Sequence, residues 1–102
     1  MLEKDIQLQI IHYLKARGAV VGKTKTMGVK RGRSFCFDPY TFRGFPDLCV
    51  FIKHKFYFIE VKAEKGVQSP EQKEFQRLAE DAGLTYILAR SLDDVINALG
   101  KD

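Results

Sequence analysis

Asp47, Glu60 and Lys62 are the residues whose types and spacing could do chemistry. Glu60 and Lys62 flank the end of an apolar run, Phe56 to Val61, and Asp47 sits at the start of another, Leu48 to Ile52. Side chains two apart on a strand project from the same face, so Glu60 and Lys62 share a side. If the two runs fold back about His54, Asp47 falls opposite Val61, or opposite Glu60 after a shift of one residue. Two carboxylates held close together and away from water need a cation or a proton to neutralise them. Lys62 offsets one charge. A hard divalent ion such as Mg²⁺ or Mn²⁺ meets the rest, because it takes oxygen ligands and keeps open positions for a phosphate and a water. The competing reading is a plain salt bridge from Lys62 to either acid on a solvated strand end.

Two further polar residues stand at positions the pattern reserves for apolar ones. Glu3 falls inside the Leu2, Ile6, Ile10, Leu14 stripe of a helix over residues 2 to 16. It either complements the helix dipole or supplies a further metal or water ligand. Gln72 is three residues after Ser69, where a capping box accounts for it, and three before Phe75 on the inward face of its helix.

The elements that must position these groups follow from periodicity. The helix over residues 2 to 16 closes at Gly18. Short strands are expected at Ala19 to Val21 and Ser34 to Phe37. Leu48 to Ile52 and Phe56 to Val61 read as an antiparallel hairpin about the turn Lys53-His54-Lys55. Ser69-Pro70-Glu71-Gln72 starts a helix with an N-cap serine and a proline at the first helical position, and Gly83 ends it. A strand at Leu84 to Ala89 and a helix capped by Ser91 complete the chain. The order is α-β-β-β-β-α-β-α, a small mixed α/β domain.

The 102 residues fit one domain, residues 1–102, with 45% hydrophobic and 29% charged side chains, which argues against disorder. No apolar run approaches the ~20 residues of a bilayer span, so no membrane partner is expected. The opening Met1-Leu2-Glu3-Lys4-Asp5 lacks the apolar stretch of a secretory signal. Two cysteines are too few for a disulfide scaffold, so a reducing, cytoplasmic setting is expected. Cys36, Cys49, His12 and His54 show no zinc-ligand spacing. The net charge of +4 is unevenly spread: the stretch from Gly18 to Pro46 carries +5, leaving −1 elsewhere. Its basic residues, Lys23, Lys25, Lys30, Arg31, Arg33 and Arg43, are candidate contacts to a nucleic-acid backbone. Phe35, Phe37, Tyr40 and Phe42 supply core packing or part of a dimer surface.

Gly44-Phe45-Pro46-Asp47, then Glu60-Val61-Lys62, then Ser69-Pro70-Glu71-Gln72, resembles the PD-(D/E)xK nuclease superfamily. Within it, the pattern looks like the virus-type replication-repair nuclease (VRR-NUC) family, over nearly the whole chain. The resemblance implies a restriction-endonuclease-like fold, a mixed α/β sheet flanked by helices. It implies that Asp47 and Glu60 bind Mg²⁺ or Mn²⁺ with the main-chain carbonyl of Val61. Lys62 matches the catalytic lysine, Gln72 the helix glutamine and Glu3 the first-helix glutamate. A lysine between two acids keeps its proton, so Lys62 suits charge stabilisation better than base duty. The implied activity is metal-dependent, structure-selective cleavage of DNA, with branched substrates such as Holliday junctions cut by a homodimer of bacterial or phage origin. The implied products carry a 5′-phosphate and a 3′-hydroxyl. Alternatives are a flap nuclease, or a DNA-binding module of the same fold that cleaves only with a partner. The intact Asp47, Glu60 and Lys62 set counts against the last.

Overall fold

The computed structural model describes residues 1–24 and 42–99. The chain begins with α1 (Glu3–Ala16) and β1 (Val20–Lys23), and resumes with β2 (Leu48–Ile52) and β3 (Lys55–Val61). It then runs through α2 (Pro70–Asp81), β4 (Thr85–Ala89) and α3 (Leu92–Leu99). The strand expected at Ser34 to Phe37 lies outside the described residues. The four strands form one sheet in the order β1-β2-β3-β4. β1, β2 and β3 are antiparallel neighbours, and β3 pairs with β4 in parallel. A parallel pair needs a crossover connection, and α2 supplies it.

The hairpin turn is tighter than the sequence suggests. Ile52 pairs with Lys55, so only Lys53 and His54 form the loop. Both have positive φ, 50° and 66°, as a two-residue turn that follows the strand twist requires. Leu48 pairs with Ile59, and continuing that register by one residue sets Asp47 opposite Glu60.

Strand alternation sorts the side chains into two layers. Leu48, Val50, Tyr57, Ile59, Val61, Ile87 and Ala89 pack with Ile6, Ile10, Ile11 and Leu14 of α1 and with Val95 and Leu99 of α3. The other face carries Phe58 and Tyr86, covered by Phe75 and Ala79 of α2, with Phe45, Cys49 and Phe56 alongside. Glu60 and Lys62 continue the Phe58 face, so they stand on the α2 side of the sheet. After the exposed Lys55, β3 is therefore apolar on one face through Tyr57, Ile59 and Val61, and turns polar on the other at Glu60.

The helices are terminated by local hydrogen bonding. At the end of α2, Gly83 takes φ +83°, its N–H donates to Glu80 O, and the Leu84 N–H donates to Ala79 O. α1 has no side-chain N-cap, and its first turn carries Glu3 and Asp5, which complement the helix dipole. Glu3 is exposed, as is Leu2, although the wheel puts both on the buried stripe. The neighbouring elements cover the stripe from Ile6 onward, so among the described residues Leu2 and Glu3 lie outside the core. Among the described residues, no helix is long and apolar enough to cross a membrane.

Candidate active site

The Gly44-Phe45-Pro46-Asp47 turn is pressed against the start of α2. A Cβ on Gly44 would lie 2.4 Å from the Glu71 carbonyl carbon and 2.5 Å from the Gln72 nitrogen, and φ at Gly44 is +70°. Only glycine satisfies both conditions, since any side chain would overlap backbone that cannot step aside. Phe45 then wedges between Phe58 and Phe75, with ring centroids 5.4 and 5.0 Å away. From the far side, the Thr24 hydroxyl donates to Pro46 O and the Thr24 N–H donates to Asp47 O at 2.9 Å. The backbone of Asp47 is thus held by β1, the aromatic cluster and α2 together.

The carboxylates sit where the hairpin ends. Asp47 is 7% exposed, and its Oδ2 accepts the Val61 N–H at 2.8 Å. Glu60 is 1% exposed, with the Lys62 ammonium 3.8 Å from its Oε2. The strand pairing thus gathers two acids and one cation, as their spacing predicts, with Asp47 bonded to the amide between Glu60 and Lys62.

Gln72 is buried at the first turn of α2 and completes its capping box. Its side-chain Oε1 accepts the Ser69 N–H at 2.8 Å, and its own N–H donates to Ser69 Oγ at 3.2 Å. The cap occupies the amide oxygen, leaving the amide nitrogen as the group that could meet a substrate or water. Gly44 against the Gln72 backbone ties this glutamine to the same turn that delivers Asp47. Glu3 is different. It is exposed at the start of a helix that packs on the opposite face of the sheet, which favours the dipole role over a ligand role.

Among the basic residues, Lys23 and Arg43 are exposed, on β1 and just before Gly44. Lys25, Lys30, Arg31 and Arg33 lie outside the described residues, as do Phe35, Phe37 and Tyr40. Phe42 stacks on Phe45 at 5.7 Å.

Three residues near the site carried no sequence signal. Gln68 Nε2 donates to Tyr86 Oη at 3.2 Å and to Gln76 Oε1 at 3.0 Å. Burial pushes the Tyr86 phenol up to about 12, with the nearby charges of Glu60 and Asp47 adding to the effect. Arg90 lies at the end of β4, beside Lys62.

A metal can be judged against the donor set. Among the described residues, no group of three or more His, Cys, Asp or Glu side chains is gathered where it could hold an ion. The two buried carboxylates are hard oxygen donors, few in number. That set fits Mg²⁺ or Mn²⁺, which retain waters, and does not fit zinc. His12 is exposed on α1, and His54 occupies the hairpin turn.

No protein-family model and no curated protein matches the chain. Solved structures do. One, described as a VRR_NUC domain, has a TM-score of 0.73 at 24% identity, covering 97% of this chain and 95% of its own. Another, a VRR_NUC domain protein, has a TM-score of 0.63 at 20% identity, covering 99% of this chain and 87% of its own. The fold is that of a VRR_NUC domain. Among the described residues, the four-stranded mixed sheet and three helices make a small α/β fold that the VRR_NUC structures share.

Two outcomes follow. Gly44→Ala should destabilise the VRR_NUC fold by about 2–4 kcal/mol in denaturant unfolding, through overlap with α2 and the positive φ. In a pH titration followed by tyrosinate absorbance, one of the four tyrosines should ionise only near pH 12, and Tyr86→Phe should remove that step. Because the folded phenol is held above its ordinary value of 10, its contribution to stability is full below pH 10 and is lost as the pH rises toward 12.

Proposed function

We propose that this chain is a nuclease of the VRR-NUC family that hydrolyses DNA phosphodiester bonds with Mg²⁺ or Mn²⁺. The observation that carries the reading is the burial of Asp47 and Glu60 beside Lys62 at the end of one hairpin, in a chain whose fold is that of VRR_NUC domains. A pure binding module for anionic DNA gains nothing from two buried acids.

Asp47 and Glu60 would hold the ion, with the Val61 carbonyl as a third ligand. An ion held there would supply Lewis-acid activation of a phosphoryl oxygen and of the attacking water. The protein's own groups do the rest. The Val61 N–H fixes the Asp47 carboxylate, so the ligand is oriented before substrate arrives. Lys62, 3.8 Å from Glu60, places a positive charge where negative charge develops on the phosphate. The Gln72 amide nitrogen orients a water or a phosphate oxygen. Lys23 and Arg43 contact the backbone of the duplex, joined by Lys25, Lys30, Arg31 and Arg33. A branched substrate, such as a four-way junction, suits a homodimer whose two sites are related by symmetry.

The test is cleavage of labelled four-way-junction, flap and plain duplex DNA with Mg²⁺, Mn²⁺ or EDTA. Metal-dependent cutting is expected, reduced more than about 100-fold by Glu60→Gln with the fold intact. Paired nicks in the junction would support dimer action. DNA binding without cutting in either metal would overturn the nuclease reading and leave a binding module.

A further inference from the structure

Arg90 follows β4, and the parallel register that pairs Val61 with Ala89 brings it alongside Lys62 where the sheet ends. Lys62 makes the last bond of that ladder, its N–H donating to Ala89 O at 2.9 Å. Directly after Lys62 the chain leaves the sheet in a turn closed by the Gly66 N–H donating to Ala63 O at 2.9 Å.

The Arg90 side chain holds this turn. Its Nη1 donates to Ala63 O at 2.9 Å, Glu64 O at 3.2 Å and Gly66 O at 2.6 Å. Its backbone N–H donates to Asp94 Oδ2 at 2.8 Å, so the residue is itself anchored to the first turn of α3. A guanidinium is suited to this task because its N–H groups lie in a rigid plane and it keeps its charge when partly buried. All three bonds leave the one nitrogen Nη1, which the guanidinium plane holds in a fixed direction, whereas a lysine ammonium is a point charge on a flexible stem that does not impose that direction. Two residues further on, Gln68 attaches the same loop to Tyr86 and Gln76. The loop between Lys62 and the Ser69 cap is therefore fastened to β4 at both ends.

We propose that Arg90 is a positioning residue for Lys62. By clamping the turn that begins at Ala63, it sets the direction in which the chain leaves β3, and with it the approach of the Lys62 ammonium to Glu60. Lys62 occupies the last position held by the sheet, so the ladder fixes it on one side only and the clamp fixes it on the other. The same clamp sets the path of the chain into the α2 cap, where Gln72 begins. This role rests on the nuclease reading of the Asp47, Glu60 and Lys62 site.

The test uses the full chain as wild type, Arg90→Ala, Arg90→Lys and Glu60→Gln, with folding of each checked by thermal melting. With DNA and Mg²⁺, Arg90→Ala should lose about 10- to 100-fold in kcat while KM changes less than about twofold. Added methylguanidinium should restore part of that loss, and Arg90→Lys should remain slow. The second readout needs no catalysis. In protein carrying ¹³C-labelled lysine, the Lys62 side-chain signal, assigned by its absence in Lys62→Arg, should shift in both Arg90 variants. If Arg90→Ala does not fold, Arg90→Lys carries both measurements. Unchanged kcat and an unchanged Lys62 signal in a folded Arg90 variant would overturn the proposal. So would a loss confined to KM, which would make Arg90 a DNA contact. A wild-type protein that does not cut in either metal would defeat the nuclease reading, and the Lys62 signal alone would then decide whether the clamp acts on that lysine.

Discussion

The structure depends on keeping two carboxylates almost out of contact with water at the mouth of one hairpin. Bringing like charges together in a poorly solvated place opposes folding unless something nearby answers them. Among the described residues, the Val61 amide donates to Asp47 at 2.8 Å and the Lys62 ammonium lies 3.8 Å from Glu60. Carboxylate oxygens gathered in this way are hard donors, which a divalent ion such as Mg²⁺ suits. Much of the remaining structure can be understood as what maintains this arrangement.

The scaffold meets that demand by fastening each participating backbone to a different element. Gly44 lets the turn before Asp47 approach the first turn of α2 more closely than any side chain would allow. The Ser69 and Gln72 capping box starts α2 at that point, so the helix that covers the aromatic face also carries the buried Gln72. Thr24 joins β1 to Pro46 and Asp47, and Arg90 holds the turn that follows Lys62. The parallel β3-α2-β4 unit brings the ends of β3 and β4 together, placing Lys62 and Arg90 side by side.

How far this could be read from sequence depends on the range of the interaction. The capping box, the helix-ending Gly83 and the hairpin are local, and residue types within a few positions announce them. The grouping of Asp47, Glu60 and Lys62 follows from strand period and one turn, so it was legible once the hairpin was. The turn itself is two residues long because Lys53 and His54 both adopt positive φ, which neither residue type signals. Glu3 shows the limit of a helical wheel: the wheel gives a direction, but burial depends on what lies in that direction, and among the described residues Glu3 stays exposed while Ile6 is buried. Arg90 and the Gln68–Tyr86 pair gave no signal because their partners lie 18 to 27 residues away in sequence. The close approach of Gly44 to Glu71 is likewise a property of the assembled layers.

The central claim is that Asp47 and Glu60 form one metal-binding site, and titration with Mn²⁺ followed by electron paramagnetic resonance tests it most directly. Free Mn²⁺ has a sharp signal that disappears when the ion is bound by protein oxygens. The wild-type chain should take up Mn²⁺ at a single site, displaced by excess Mg²⁺, and Asp47→Asn and Glu60→Gln should each lose it while remaining folded. Equal uptake by all three proteins, or none by the folded wild type, would contradict the account.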